Sequence, residues 1–263
     1  MRTQLNGYVV GDEDLWLYDW FEIPAFSPQR VRGVLEQCPE EEELILEINS
    51  GGGSVFAGFE MYSVLQSSGA DTVAEVQSLA ASAASVVMLG CREVRASPVA
   101  QVMIHLPTVQ TEGDRSVHQT SIGVLDSITE SILNAYTVKC GARSTRDELR
   151  QLMKTSTWMT APEAKGLGLV DKIVGEETID SAAILNCAGG MPHGIRAMAA
   201  APMPSPGSLR REYDRLTAEG KVPARGQALE NPPSGDESKL AKARLELERI
   251  RFWTKEEPHE THN

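Results

Sequence analysis

Residues 44–66, LILEINSGGGSVFAGFEMYSVLQ, constrain the fold of this chain more than any other stretch. Residues 44–49 alternate apolar and polar side chains, which predicts a strand. Three consecutive glycines, Gly51, Gly52 and Gly53, follow at once. From there Val55, Phe59, Tyr62 and Leu65 fall at helical spacing until Gly69 ends the pattern. A strand that passes into a helix through so few residues must pack both on a sheet, and this predicts an α/β domain.

The alternation continues along the chain. DTVAEVQ (71–77) predicts a second strand and AASAASVVMLG (80–90) a second helix, stopped by Gly90. CREVRA (91–96) and AQVMIH (100–105) predict short strands with Pro98 in the turn between them. A longer helix is predicted over 117–139, with Ile122, Leu125, Ile128, Ile132 and Tyr136 on one stripe and Gly141 closing it. Thr145 and Glu148 form a capping-box pair that starts another helix. TAPEAKGLGLVDKIV (160–174) then predicts a short helix, a glycine-containing turn and a last strand. Short connections predict one compact domain over residues 1–180.

Beyond that the character changes. Residues 181–208 are rich in Gly, Ala and Pro and are expected to be a flexible linker. Residues 209–263 form a charged tail with two helical pieces around SLRREYDRLTAEG and DESKLAKARLELERIRFW. In the second piece Leu240, Ala243, Leu247 and Ile250 make a narrow apolar seam, which fits either a solvated helix or a docking or coiled-coil segment.

Composition narrows the function. The net charge is −12, and from Arg196 onward 12 Lys and Arg nearly balance 11 Asp and Glu, so the acidity sits on the body. That disfavours nucleic acid, whose phosphates need clustered basic residues. No apolar run approaches the roughly 20 residues of a membrane helix, and the start MRTQLNGYVVGDED has no basic-then-apolar leader pattern, so an intracellular protein is expected. The four cysteines are scattered without CxxC or Cys/His pairing, which favours neither a metal site nor a disulfide framework.

Three features bear on chemistry. The NSGGGS turn brings backbone N–H groups close to an open space; lacking a Gly-Lys-Ser/Thr ending it is no Walker motif, which leaves an oxyanion hole as the functional reading. In SLAAS, Ser82 falls at a helix start among small residues, which suits either close packing or a nucleophile. His105 ends the apolar run VMI, whereas His193, His259 and His262 lie in the linker or tail and His118 in a polar stretch. Taken together these supply oxyanion donors, nucleophile and base for acyl transfer.

INSGGGSVFAGFEMYSVLQ, SLAASAASVVMLG, VMIHLP and TAPEAKGLGLVDKI, in this order and spacing, resemble the ClpP-type serine proteases, over about residues 5–175. The resemblance is nearest to phage-encoded members that mature the prohead. It implies a ClpP/crotonase-type fold of repeated ββα units, cleavage of peptide bonds, no metal and no cofactor. Carried over by motif, Ser82 resembles the nucleophile, His105 the general base, and Gly53 and Ala83 the oxyanion-hole donors. Ser85, one helical turn beyond Ser82, is expected to point elsewhere. The family's acid position falls on Ser156 in MKTSTWMTAPEA. Either another acid (Asp114 or Asp126) supplies the charge, or the enzyme is a slow Ser-His dyad, or the chain is a pseudoprotease that serves as an assembly protein.

The partners implied are capsid or scaffold precursors and further copies of the chain in a ring, with neither nucleic acid nor membrane; the location implied is the host cytoplasm, within the prohead. A CoA-thioester hydratase built on the same glycine turn is disfavoured, because it has no use for a Ser/His pair.

Overall fold

A computed structural model describes residues 1–175 and 204–222. The linker expected over 181–208 lies almost wholly outside the described residues, as does the apolar seam at 240–250. The chain divides into two units: residues 1–12 and 25–199 form the first, and residues 13–24 and 200–263 the second.

The first unit is the expected α/β structure. Its strands are β1 (Arg2–Val9), β2 (Ala25–Phe26), β3 (Leu44–Gly53), β4 (Thr72–Ala81), β5 (Glu93–Ala96), β6 (Gln101–Ile104), β7 (Thr157–Thr160) and β8 (Lys172–Ile173). The main path of the sheet runs β2-β1-β3-β4-β5-β8 with every pair parallel. Central parallel strands are covered on both faces. Accordingly Leu44, Ile45, Leu46 and Ile48 of β3 and Val73, Ala74 and Val76 of β4 are all buried. Glu75, buried among them, is neutralised by Arg2, 3.3 Å away.

The middle strand β4 forks. Val73–Val76 pairs with β5, and then Leu79, Ala80 and Ala81 pair with β6. β6 in turn carries the antiparallel β7, with Ile104 opposite Thr157. This fork corrects one expectation. The sequence predicts that helix begins near Ala80, because alanines favour helix. Instead β4 runs on to Ala81, since residues 79–81 are paired in the β6 ladder, and the helix begins only at Ala83.

Helices α2 (Pro28–Gln37), α3 (Val55–Ser67), α4 (Ala83–Met88), α5 (Arg115–Cys140), α6 (Arg146–Lys154) and α7 (Ala161–Leu167) complete the unit. Ser54 caps α3 by accepting from the Ala57 N–H, and Thr145 caps α6 by accepting from Glu148. Thr160 and Glu163 close a reciprocal capping box at α7, which sequence inspection did not single out. The stripe on α5 divides in two. Ile132 and Tyr136 are buried, while Ile122 is 60 % exposed.

In the second unit, α1 (Asp12–Trp20) supplies Trp16 and Trp20, which meet Tyr213 of α8 (Pro206–Ala218) edge-on at 5.1 and 5.3 Å. Arg210 pairs with Asp14 at 2.9 Å, and Leu209 and Leu216 are buried. The helical reading of SLRREYDRLTAEG holds, with the helix starting at Pro206 behind its Ser205 cap.

Candidate active site

The fork in β4 determines where the chemistry can sit. Ala81 pairs with Met103, so the two strands end side by side: β4 runs into Ser82 and β6 into His105. The Ser82 N–H donates to the Met103 carbonyl at 2.9 Å. Between strand and helix, Ser82 adopts φ 55° and ψ −125°, a conformation that costs a non-glycine residue on the order of 1–3 kcal/mol. The sharp bend lifts its side chain out of the sheet, as a nucleophile elbow does. Ser82 Oγ lies 2.7 Å from His105 Nε2.

The glycine turn closes on this bend. Gly52 has φ +96°, and a Cβ there would stand 2.7 Å from the Ala81 carbonyl oxygen, 2.8 Å from Ser82 Cβ and 3.0 Å from the Ala83 nitrogen. Only a residue without a side chain lets β3 approach the elbow so closely. Gly53, at φ +151°, is pressed against β1, its would-be Cβ 2.1 Å from the Val9 carbonyl oxygen. The Gly52 N–H is taken by Ser50 Oγ at 3.1 Å and the Ser54 N–H by the Val9 carbonyl at 2.8 Å. Gly58 of α3 completes the seat, letting Ala83 come within 3.3 Å of where its Cβ would be.

Gly53, Ser82, Ala83 and His105 line one cavity of about 320 Å³. Its remaining wall is mostly apolar: Val55, Phe56 and Val86 on one side, Leu125, Ile128 and Ile132 of α5 on the other. None of the residues lining it is a carboxylate. Asp114 is spent as the N-cap of α5, accepting from the N–H groups of Ser116 and Val117, and Asp126 is exposed on the same helix. His118 lies apart, its Nδ1 2.8 Å from Thr111 Oγ1.

Ser156 sits one residue before β7. Extending the Ile104–Thr157 pairing by one step sets it opposite His105. Its backbone is left-handed, φ 52°, and its N–H donates to the Met153 carbonyl at 3.1 Å. Among the described residues, no group of three or more His, Cys, Asp and Glu side chains could hold a metal ion. Among the same residues, no helix is long and apolar enough to cross a membrane.

The structure thus brings Ser82, His105, Gly53 and Ala83 to one cavity, places Ser156 beside the histidine strand and leaves Asp114 and Asp126 outside the cavity wall. Two contacts around the elbow were not foreseen from the sequence, those of Gly52 and of Ser85, although Ser85 was expected to point away from the site and does. Gly52 was one of three equivalent glycines, and its contact with the elbow depends on how far β3 extends. Ser85 is fully buried, with its Oγ 2.6 Å from the Ser82 carbonyl oxygen and 2.7 Å from the Tyr136 hydroxyl. A serine in a run of alanines was the available signal for it; its partner, 51 residues away, left none.

Comparison with known proteins fits this geometry. The chain is 31 % identical over 145 residues to the ATP-dependent Clp protease proteolytic subunit of Porphyromonas gingivalis, covering 53 % of this chain and 63 % of that protein. It is 32 % identical over 184 residues to the subunit of the same name from Triticum aestivum, covering 68 % of this chain and 84 % of that one. Against proteolytic subunit 1 of Chlamydia abortus the identity is 31 % over 147 residues, or 53 % and 74 % of the two chains. The chain therefore spans somewhat less than two thirds of the Porphyromonas protein. The Clp protease family model matches residues 33–177, which run from α2 past β8 and take in the glycine turn, the elbow and the histidine strand: this chain belongs to the Clp protease family.

Proposed function

We propose that the chain is a serine endopeptidase in which Ser82 is the nucleophile and His105 the general base. The observation that carries the reading is the 2.7 Å contact between Ser82 Oγ and His105 Nε2 at the wall of an apolar cavity. Ser82 Oγ attacks the scissile carbonyl carbon while its proton passes to Nε2. The tetrahedral oxyanion is held by the N–H groups of Gly53 and Ala83. Collapse breaks the C–N bond, and the imidazolium returns the proton to the leaving amine. Water, deprotonated by the same imidazole, then releases the acyl group from Ser82. The cavity is sized and lined for one apolar substrate side chain next to the cleaved bond.

In this reading Ser156 stands where a carboxylate would serve the histidine, and its hydroxyl orients the ring without stabilising the imidazolium charge. The motif resemblance supports the biological setting: processing of capsid or scaffold precursors during phage head assembly, in a ring of identical chains inside the prohead, with the tail tethering the protease to the shell or being cut by it. Coexpression with a capsid precursor tests this. Wild type converts the precursor and Ser82→Ala does not; equal conversion by both removes Ser82 from the mechanism, and conversion by neither removes the capsid substrate.

A second reading, an inactive assembly protein of the same fold, is favoured by one observation: the cavity wall contains no carboxylate. A fluorophosphonate probe separates the two. Labelling that disappears in Ser82→Ala supports the peptidase; an unlabelled wild type supports the assembly protein.

A further inference from the structure

We infer that Ser85 and Tyr136 are positioning residues that orient and polarise the Ser82–Ala83 peptide group, making the Ala83 N–H a stronger oxyanion donor. The inference rests on the peptidase reading above and extends it to two residues that touch neither the substrate carbonyl nor the nucleophilic oxygen of Ser82.

Proton counting fixes the direction of the relay. Ser85 Oγ lies 2.6 Å from the Ser82 carbonyl oxygen, which can only accept, so the single hydroxyl proton of Ser85 is committed there. The Tyr136 hydroxyl, 2.7 Å from Ser85 Oγ, must then be the donor to Ser85. Burial pushes the Tyr136 phenol above its ordinary range, which keeps it neutral and able to donate. Both side chains are almost fully enclosed, at 0 % and 1 % exposure, where hydrogen bonds in series reinforce one another.

The Ser82 carbonyl accepts a further bond from the Ser85 N–H at 3.0 Å. Carbonyl and N–H of a trans peptide point in opposite directions. Two donors gripping the Ser82 oxygen therefore turn the Ala83 N–H the other way, and Ala83 lines the cavity. Because the two groups share one conjugated amide, electron density drawn toward the carbonyl oxygen leaves the N–H more positive. The same grip holds Ser82 at its positive φ, so nucleophile and oxyanion donor are fixed by one device. Tyr136 also borders the cavity, so the relay runs beside its wall.

The test uses the full chain, an apolar peptide ester as substrate and a matching peptide boronate, to which Ser82 Oγ adds to form a tetrahedral adduct. Removing a whole oxyanion donor costs on the order of 10²–10³ in kcat, so weakening one should cost less. We expect Tyr136→Phe to lower kcat roughly threefold to tenfold and Ser85→Ala about tenfold to a hundredfold, with KM within about twofold and boronate affinity falling in step with kcat/KM. The double variant should be no slower than Ser85→Ala, since the two act in series. Tyr136→Phe keeps the ring and the packing, so it carries the test if Ser85→Ala fails to fold. A kcat unchanged in Tyr136→Phe, a loss confined to KM, or losses that multiply in the double variant would each overturn the relay while leaving the peptidase intact. A wild type inert to both ester and boronate overturns the peptidase reading, and the relay with it.

Discussion

Two serines with positive φ stand at the ends of the two strands, β4 and β7, that pair with the histidine strand β6. Ser82 has φ 55° and Ser156 φ 52°, yet the two are strained for different reasons. At Ser156 the conformation is that of a helix stop. The residue follows the Thr155 C-cap of α6, its N–H donates to the Met153 carbonyl, and the Thr157 hydroxyl takes the Leu152 carbonyl at 2.7 Å. Most helices that end this way place glycine there. At Ser82 no helix is ending. A strand gives way to a helix within one residue, and Met103, Ser85 and Gly52 hold the bend from three sides. One strain belongs to chain geometry, the other to the placing of an oxygen atom. Substitutions should separate them.

The largest effect falls on the elbow. Ser82→Ala keeps the Cβ and the bend but removes the proposed attacking oxygen, and loss of such a nucleophile costs on the order of 10⁶ in kcat. Hydrolysis of an apolar peptide ester should fall to background while the melting temperature stays within a few degrees. Residual acyl-enzyme in the variant, seen by mass spectrometry, would transfer the role to another group.

Next comes the glycine that makes room. Gly52→Ala puts a Cβ within 3.0 Å of three atoms of the elbow at a φ of +96°. Two of those atoms are backbone, so the strands must separate. We expect activity to drop at least about a hundredfold, since misplacement by an ångström is enough for that, along with a stability loss of about 2–3 kcal/mol. Chemical denaturation and ester hydrolysis measure both. Full activity in Gly52→Ala would mean that the turn is not held against Ser82 in the working enzyme.

The other serine should respond in the opposite sense. Withholding the carboxylate from a catalytic histidine costs about 10⁴ in a trypsin-type triad. If the Ser156 side chain faces the imidazole, Ser156→Asp should raise kcat/KM at least tenfold at neutral pH, where an aspartate is ionised. Ser156→Ala should lose several-fold. An Asp variant no faster than wild type would show that the position does not reach the ring.

These contrasts also mark what the sequence could convey. The α/β alternation, the helix after the glycine turn and the stop at Gly141 are local patterns, and periodicity reports them directly. Ser82 and His105 were legible because each stands where a regular element ends. The length of β4 was not, because Leu79, Ala80 and Ala81 take strand form through a ladder with β6 that begins some twenty residues later. The same fork sets Ser82 against His105, so the least predictable strand end is also the one the site depends on. The Ser85–Tyr136 contact and the approach of Gly52 to the elbow arise between elements far apart in the chain, and no local pattern encodes them.

The smallest expected effect is the most informative about Ser156. Replacing a left-handed non-glycine residue by glycine relieves backbone strain at a helix stop, and here the neighbouring hydroxyls of Thr155 and Thr157 would keep the Leu152 carbonyl of α6 satisfied. Ser156→Gly should therefore gain about 1 kcal/mol, seen as a rise of about 2–4 °C in melting temperature. If that gain comes with a several-fold fall in kcat, the serine is kept at a stability cost for what its hydroxyl does beside His105. If stability rises and activity is untouched, the side chain has no part in the reaction and the enzyme works as a bare Ser82–His105 dyad. A loss of stability would mean that the hydroxyl of Ser156 anchors the turn, and the parallel with Ser82 would then be closer than the two backbone bends suggest.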